Sequence, residues 1–92
     1  RWIEAKSPAM NYAECVVPFG LSEALPEAKL RATVAGVGFG VVNVHHRMSQ
    51  TEGFYEYRLI IRTSRPANIT RLSETLKAMP VVKEFRLAPT TD

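Results

Sequence analysis

The chain has 92 residues, 46% of them hydrophobic, and a formal net charge of +3. This length fits one domain, and the apolar fraction excludes an intrinsically disordered chain. Twelve Lys and Arg against nine Asp and Glu lack the dense positive charge of a dedicated nucleic-acid binder. The single cysteine, Cys15, cannot form an internal disulfide, so no oxidising compartment is implied.

The first nine residues are expected to be a linker or a tag remnant, and residues 10–92 a single domain. Pro8 separates the two parts, because proline disfavours helix at the residue before it. The chain does not begin with Met, and we expect it to be a domain excised from a longer protein.

The first predicted elements are a strand and a helix. Residues 12–17 alternate and then become fully apolar, which is typical of a central strand. The helix is predicted to begin at Ser22 or at the Leu25-Pro26 pair, since proline suits the first helical position. Three glycines, Gly36, Gly38 and Gly40, end it. One face of this helix carries Leu25, Ala28, Ala32 and Ala35.

A hairpin follows, with strands at residues 41–48 and 54–63 and a polar loop between them. In the first strand, Val42, Val44, His46 and Met48 share one face, and Val41, Asn43, His45 and Arg47 share the other. In the second strand, Tyr55, Tyr57, Leu59 and Ile61 alternate with Glu56, Arg58, Ile60 and Arg62. That alternation predicts one buried face and one wetter face.

The second helix starts near Pro66 or Asn68, and Pro80 stops it. Its apolar residues recur at helical spacing: Ile69, Leu72, Leu76 and Met79. Residues 81–87 are the final predicted strand, with Val81, Phe85 and Leu87 facing inward, and residues 88–92 are a tail.

The resulting order, β-α-β-β-α-β, predicts an α+β, ferredoxin-like fold. The sheet has four antiparallel strands in the order 4-1-3-2, and both helices cover one of its faces. The other face is called the open face here. Its predicted residues are Tyr12, Glu14, Val16, Asn43, His45, Arg47, Glu56, Arg58, Ile60, Arg62, Glu84 and Arg86.

At this level the chain resembles an ACT-type regulatory domain. Residues 17–21, Val-Pro-Phe-Gly-Leu, resemble the turn between the first strand and the first helix of such domains. Residues 35–39 and then 42–44 resemble their passage from helix to strand. The resemblance implies one candidate function, a sensor of an amino acid or another small molecule. Its implied ligand-binding residues are Pro18, Phe19, Gly20, Leu21, Gly36 and Gly38.

The closing segment, residues 81–92, is similar to that of many MgtC/SapB-family proteins. These are bacterial inner-membrane proteins with a cytosolic ACT-like C-terminal domain. The resemblance implies that this chain is such a domain and that residues 1–8 are the tether after the last membrane helix. It also implies a non-catalytic regulatory or protein-interaction role, in a family linked to magnesium limitation and virulence.

For that role we predict self-association, as a dimer, or binding to another protein through the open face or a sheet edge. The β-branched residues on this otherwise charged face form its predicted apolar centre, and arginines form its rim. The centre is Val16, Ile60 and Val82, and the rim is Arg47, Arg58, Arg62 and Arg86.

Other chemistries fit the sequence less well. His45 and His46 are adjacent on a strand and point to opposite faces, so they cannot bind one metal together. The glycine run follows a helix, whereas a dinucleotide-binding loop precedes one. RNA-recognition sheets need aromatic residues on the open face, where Tyr55 and Tyr57 are not expected. No catalytic set is recognisable, and neither an enzyme activity, a cofactor, a metal nor a nucleic-acid partner is predicted.

Overall fold

The structure is a computed structural model, and it describes residues 9–90. The elements are β1 (Asn11–Gly20), α1 (Glu27–Gly36), β2 (Gly40–Ser49), β3 (Phe54–Thr63), α2 (Ala67–Lys77) and β4 (Arg86–Pro89). The strands form one antiparallel sheet in the order β2-β3-β1-β4. This is the predicted order read from the opposite edge, so the α+β, ferredoxin-like prediction is confirmed. The predicted linker, except for Ala9, lies outside the described residues.

The core lies between the sheet and the two helices. Alternate residues of the two central strands point into it, and none is more than 5% exposed. They are Ala13, Cys15, Val17 and Phe19 from β1, and Tyr57, Leu59 and Ile61 from β3. From α2, Leu72 and Leu76 are fully buried, while Ile69 and, in the turn after the helix, Met79 pack against the core. The face predicted for this helix is therefore confirmed.

The first helix packs through a different face from the one expected. It begins at Glu27, directly after Pro26, which agrees with the second of the two predicted starts. Leu30 and Val34 enter the core, whereas the alanines of the predicted face, Ala28, Ala32 and Ala35, are exposed. Leu30 and Val34 occupy the core because each buries more apolar area than an alanine methyl group.

The edge strand β2 contains a bulge at Val42. Val41 pairs with Ile61, and Asn43 pairs with Ile60, so Val42 is the extra residue between them. As a result Val41, rather than Val42, lies on the helix side of the sheet, and Val42 is 47% exposed. The predicted faces of these two valines are corrected, since one inserted residue reverses the alternation before it.

The last strand begins later than predicted. The Val82 amide donates to the Met79 carbonyl at 3.0 Å in the turn after α2, and the Val82 side chain packs against the core. Pairing with β1 begins only at Arg86, opposite Val16. It continues through residues assigned to a tail, and Thr90 donates its amide to the Tyr12 carbonyl at 2.9 Å.

A small buried polar cluster ties α2 to the sheet and to the turn before β2. The Asn68 side chain is 5% exposed and donates through Nδ2 to the Thr63 hydroxyl at 2.9 Å. Arg71 donates to the side-chain amide oxygen Oδ1 of Asn68 at 2.8 Å. Gly38 has a φ of +97°, and a Cβ there would lie 2.5 Å from Asn68 Nδ2. Only glycine permits both this backbone conformation and this close approach.

Candidate interaction surface

The open face carries the alternate residues of all four strands. Pairing places them in rows that cross the sheet, and each row takes one residue from each strand that reaches it. The five rows, written from β4 to β2 where each strand contributes, are Tyr12–Arg62–Gly40; Ala88–Glu14–Ile60–Asn43; Arg86–Val16–Arg58–His45; Pro18–Glu56–Arg47; and Gly20–Phe54–Ser49. No described helix covers these residues, because both helices pack on the other side of the sheet.

The middle of this face is apolar. Val16 lies opposite Arg58, and Ile60 lies opposite Glu14 one row further along, so the two apolar side chains are diagonal neighbours. Val16 is 8% exposed, and Ile60 is half-buried. A shallow hollow of about 290 Å³ adjoins Val16. Its lining residues are Val16, Pro18, Glu56, Glu84, Phe85 and Arg86.

Charges of both signs surround this centre. Arg58 donates to the Glu14 carboxylate at 3.0 Å, and Arg47 approaches Glu56 at 3.9 Å. Arg62 and Arg86 form no salt bridge with any residue between 9 and 90. Within that part of the chain, neither charge is therefore neutralised by a salt bridge.

The structure assembles most of the predicted interface. Val16 and Ile60 lie on the open face together with Arg47, Arg58, Arg62 and Arg86. Val82 does not, because the strand that was to carry it begins four residues later, at Arg86. The predicted apolar row of three residues is thus corrected to a diagonal pair.

The structure separates the predicted ligand-binding residues into two groups. Gly20 pairs with Phe54, whereas Gly40, two residues after Gly38, pairs with Arg62 at the other end of β3. Eight residues along a strand span about 27 Å. Within one chain, Pro18, Phe19, Gly20 and Leu21 therefore lie far from Gly36 and Gly38, because α1 carries the chain back along the sheet between them.

A larger cleft, not predicted from the sequence, lies at the other end of β1. It measures about 790 Å³, whereas the hollow beside Pro18, Phe19 and Gly20 measures about 220 Å³. The cleft is lined by Met10, Asn11, Tyr12, Pro66, Ile69, Thr70, Pro89 and Thr90, none of them charged. It was missed because residues 89 and 90 were assigned to a tail. The alternation that continues from Leu87 through residues 89 and 90 could have indicated that the strand extends this far.

The two histidines lie on opposite faces of the sheet, as predicted. His45 is opposite Arg58, while His46 faces the helices and bridges two elements. Its Nδ1 lies 2.8 Å from the Tyr55 hydroxyl and its Nε2 lies 2.9 Å from the Glu27 carboxylate. Within residues 9–90, no group of three or more His, Cys, Asp or Glu side chains is placed to hold a metal ion.

The carboxylate in this network is also held by a cation. Arg31 donates to Glu27 at 2.7 Å, and this hydrogen bond is the main cause that lowers the pKa of Glu27, to which the hydrogen bond with His46 adds. The contact joins α1 to the edge strand β2. No local pattern in the chain predicts this contact, since Glu27 and His46 are 19 residues apart.

The single thiol lies beneath this surface, on the helix side of β1. Cys15 is fully buried, and desolvation raises its pKa to about 12. A thiol that stays protonated and has no solvent access is a poor nucleophile. Cys15 therefore acts as a small apolar core residue.

Among the described residues, no helix is both long enough and apolar enough to cross a bilayer. The two helices have ten and eleven residues, whereas a membrane-spanning helix needs about 20.

Comparison with solved structures shows what this fold is similar to. The C-terminal domain of the MgtC protein from Mycobacterium tuberculosis superposes with a TM-score of 0.65 at 12% identity, covering 94% of each chain. The uncharacterized protein TM1266 from Thermotoga maritima superposes at 0.66 and 12% identity, covering 90% of this chain and all of that one. No family model and no curated protein matches the sequence.

A de novo designed protein, Foldit4, also shares the fold, with a TM-score of 0.54, 20% identity, and coverage of 91% of this chain and 99% of that one. The predicted likeness to the MgtC C-terminal domain is therefore confirmed at the level of fold. At these identities the likeness shows the fold alone, and a designed protein reaches it as well. Function has to be argued from the residues on the surface of the sheet.

Proposed function

We propose that this chain is a non-catalytic regulatory domain that binds a second copy of itself through the open face. The observation that carries the proposal is the open face itself, with an apolar centre at Val16 and Ile60 and charges of both signs around it. A centre of this kind inside a polar rim is the usual layout of a protein interface.

A second copy is the partner favoured by the charges. The face carries Arg47, Arg58, Arg62 and Arg86 together with Glu14 and Glu56. A surface that holds both signs can be complementary to itself, and most soluble homo-oligomers are two-fold symmetric dimers. A purely basic face would instead favour an acidic partner.

The same resemblance supports a proposal about the parent protein. The likeness to the C-terminal domain of MgtC supports a domain of that type. We propose that it is the cytosolic end of a bacterial inner-membrane protein of the MgtC/SapB type, in a family linked to magnesium limitation and virulence. Dimerisation would then join two membrane-embedded chains through their cytosolic ends.

The test is the molar mass of the domain over a range of concentrations. By light scattering we expect wild type to shift from monomer to dimer as its concentration rises. Ile60→Asp places a charge at the centre of the face and is expected to remain monomeric. Ala32→Glu, on the exposed side of α1, is the matched control and is expected to dimerise like wild type.

Two results would overturn the proposal. One is a wild type that stays monomeric up to millimolar concentration. The other is a dimer that Ile60→Asp leaves unchanged. Circular dichroism of each variant checks that a lower molar mass does not result from unfolding. Because Ile60 lies outside the buried core, Ile60→Asp is expected to keep the fold.

A ligand-sensing function is the second candidate, and the cleft at Met10 and Thr70 favours it. Its volume of about 790 Å³ falls in the range of about 300–1,000 Å³ of small-molecule sites. Because the lining carries no charged side chain, a neutral molecule fits better than a zwitterionic amino acid. A compound that raises the melting temperature of wild type, but not of a Thr70→Trp variant that fills the cleft, would support it.

A further inference from the structure

We infer that two copies pack open face to open face about a two-fold axis that runs across the strands, so that Arg62 of each copy meets Glu56 of the partner subunit. The inference rests on the proposed function and adds the arrangement of the two copies. It follows from where the pairing of the strands places each residue on the open face.

The rows of the face fix where such an axis can pass. Along β3 the open-face residues in order are Phe54, Glu56, Arg58, Ile60 and Arg62. A two-fold axis across the strands, midway between the rows of Arg58 and Ile60, exchanges those two rows. It also exchanges the row of Glu56 with the row of Arg62, which lie at equal distances on either side.

This axis brings the apolar residues together. Val16 belongs to the row of Arg58 and Ile60 to the next row, on adjacent strands. Exchanging the rows places Val16 of one copy diagonal to Ile60 of the partner subunit, and the reverse, while Glu14 and Arg58 of the partner subunit lie directly opposite Val16 and Ile60. The four β-branched side chains therefore cluster diagonally around the axis at the centre of the interface, which is where fully desolvated contacts contribute most to binding.

The same axis pairs the charges. Arg62, which has no salt bridge within residues 9–90, faces Glu56 of the partner subunit on each side. Glu14 comes to lie between Arg58 and Arg86 of the partner subunit, because these two arginines flank Val16 in the row that is exchanged with its own. Each carboxylate of the two pairs thus gains a cation.

The other simple arrangement, with the axis along the strands between β1 and β3, lacks this complementarity. It would place Arg58 over Val16 of the partner subunit and Arg62 over Tyr12 of the partner subunit. Glu14 would lie over Ile60 and Glu56 over Pro18. No opposite charges on β1 and β3 would meet, so electrostatics selects the axis across the strands.

The size of the face sets the expected affinity. Three strands about 27 Å long and the four-residue β4, about 13 Å long, lie about 4.8 Å apart and together present roughly 450 Å². A standard specific interface buries about 800 Å² on each partner. We therefore expect a dissociation constant in the micromolar range that rises with salt, because the Arg62 pairs lie at the rim.

The experiment is a charge reversal, read as the dissociation constant from sedimentation equilibrium. Arg62→Glu and Glu56→Arg each place like charges opposite one another twice, and each is expected to weaken the dimer at least tenfold. The double variant Arg62→Glu/Glu56→Arg restores both pairs with reversed sign and is expected to return to within about threefold of wild type. Lys29→Glu, an exposed reversal on α1, controls for net charge.

The outcomes separate this arrangement from the proposed function. If Ile60→Asp abolishes the dimer but the double variant stays as weak as the single ones, the face is the interface and the axis is wrong. If both single reversals leave the dimer intact, the pairing of Arg62 with Glu56 is overturned as well. A wild type without any dimer overturns both proposals.

Discussion

The two faces of the sheet are built from the same strands and serve different purposes. On the helix side, the core residues of β1 and β3 are at most 5% exposed and pack with Leu72 and Leu76 of α2. On the open side, most residues of these strands are charged or only partly buried, as with Arg58 and Ile60. Because side chains alternate along a strand, one sequence can encode stability on one face and recognition on the other.

This difference makes the two faces separable by mutation. Changes on the helix side should lower the free energy of unfolding and leave the mass of the folded protein unchanged until the domain unfolds. Changes on the open side should lower the molar mass of the folded protein from dimer to monomer and leave the free energy of unfolding largely unchanged. The predictions below test that separation, beginning with the largest expected effect.

Leu72→Ala should be the most destabilising substitution. Leu72 is fully buried in the middle of α2, and removing a buried leucine side chain costs about 2–5 kcal/mol through lost burial and an unfilled cavity. Ile60→Asp, on the other face, should cost about 1 kcal/mol, mainly through its weaker strand propensity. Urea denaturation of both variants as monomers measures the contrast, and equal costs would contradict it.

Gly38→Ala tests the polar cluster that ties the helix side together. The positive φ and the contact with Asn68 predict a loss of about 1–3 kcal/mol. Gly53 also has a positive φ, +77°, but nothing lies within 4 Å of its added Cβ, so Gly53→Ala should cost less. Gly36→Ala meets neither obstacle and is expected to be neutral or slightly stabilising. A different ranking of the three melting temperatures would refute this account of Gly38.

The raised pKa of Cys15 predicts that the free energy of unfolding decreases at alkaline pH. Its pKa is about 12 in the folded domain against 9.0 in the unfolded chain, so its stabilising contribution is complete below pH 9 and is lost as the pH rises towards 12. At pH 10 the loss is about 1.4 kcal/mol. The difference in unfolding free energy between wild type and Cys15→Ala should shrink by that amount between pH 8 and pH 10. A constant difference would show that the thiol is not buried.

The lowered pKa of Glu27 predicts a smaller decrease in stability at acidic pH. Its folded pKa lies below the ordinary value of 4.5, so its contribution is present above that value and is lost as the pH falls through the folded pKa. The melting temperature of wild type should exceed that of Glu27→Gln at pH 6, and the gap should narrow as the pH falls below 4.5. A gap that does not narrow in acid would mean that the contacts with Arg31 and His46 do not depend on the charge of Glu27.

The sequence was sufficient for the parts of the fold that follow a simple period. The alternation in β3 and the spacing of Leu72 and Leu76 in α2 predicted the correct faces. It was insufficient where a tertiary contact decided the outcome. The bulge at Val42 reversed two valines, and the alanine face of α1 lost to Leu30 and Val34. The bulge has no local signal in the chain, whereas the spacing of Leu30 and Val34, four residues apart, was a signal that could have predicted the buried face of α1.

The candidate interface shows the same limit. Most of its residues were predicted correctly because they alternate with core residues along the strands. The folded sheet keeps this alternation of faces. Val82 was misplaced because the turn after α2 takes up the residues before Arg86, and the length of that turn is set by where β4 can pair with β1. The pairing of Glu27 with His46 was not predictable, since it depends on how α1 lies across the sheet.

The central claim is that the open face joins two copies of this domain, and the dissociation constants of wild type and Ile60→Asp test it most directly. Sedimentation equilibrium from about 1 μM to 1 mM should give a micromolar dimer for wild type and no measurable dimer for Ile60→Asp. Both proteins should show the same circular dichroism. The same dissociation constant for both, or no dimer of wild type at 1 mM, would contradict the account.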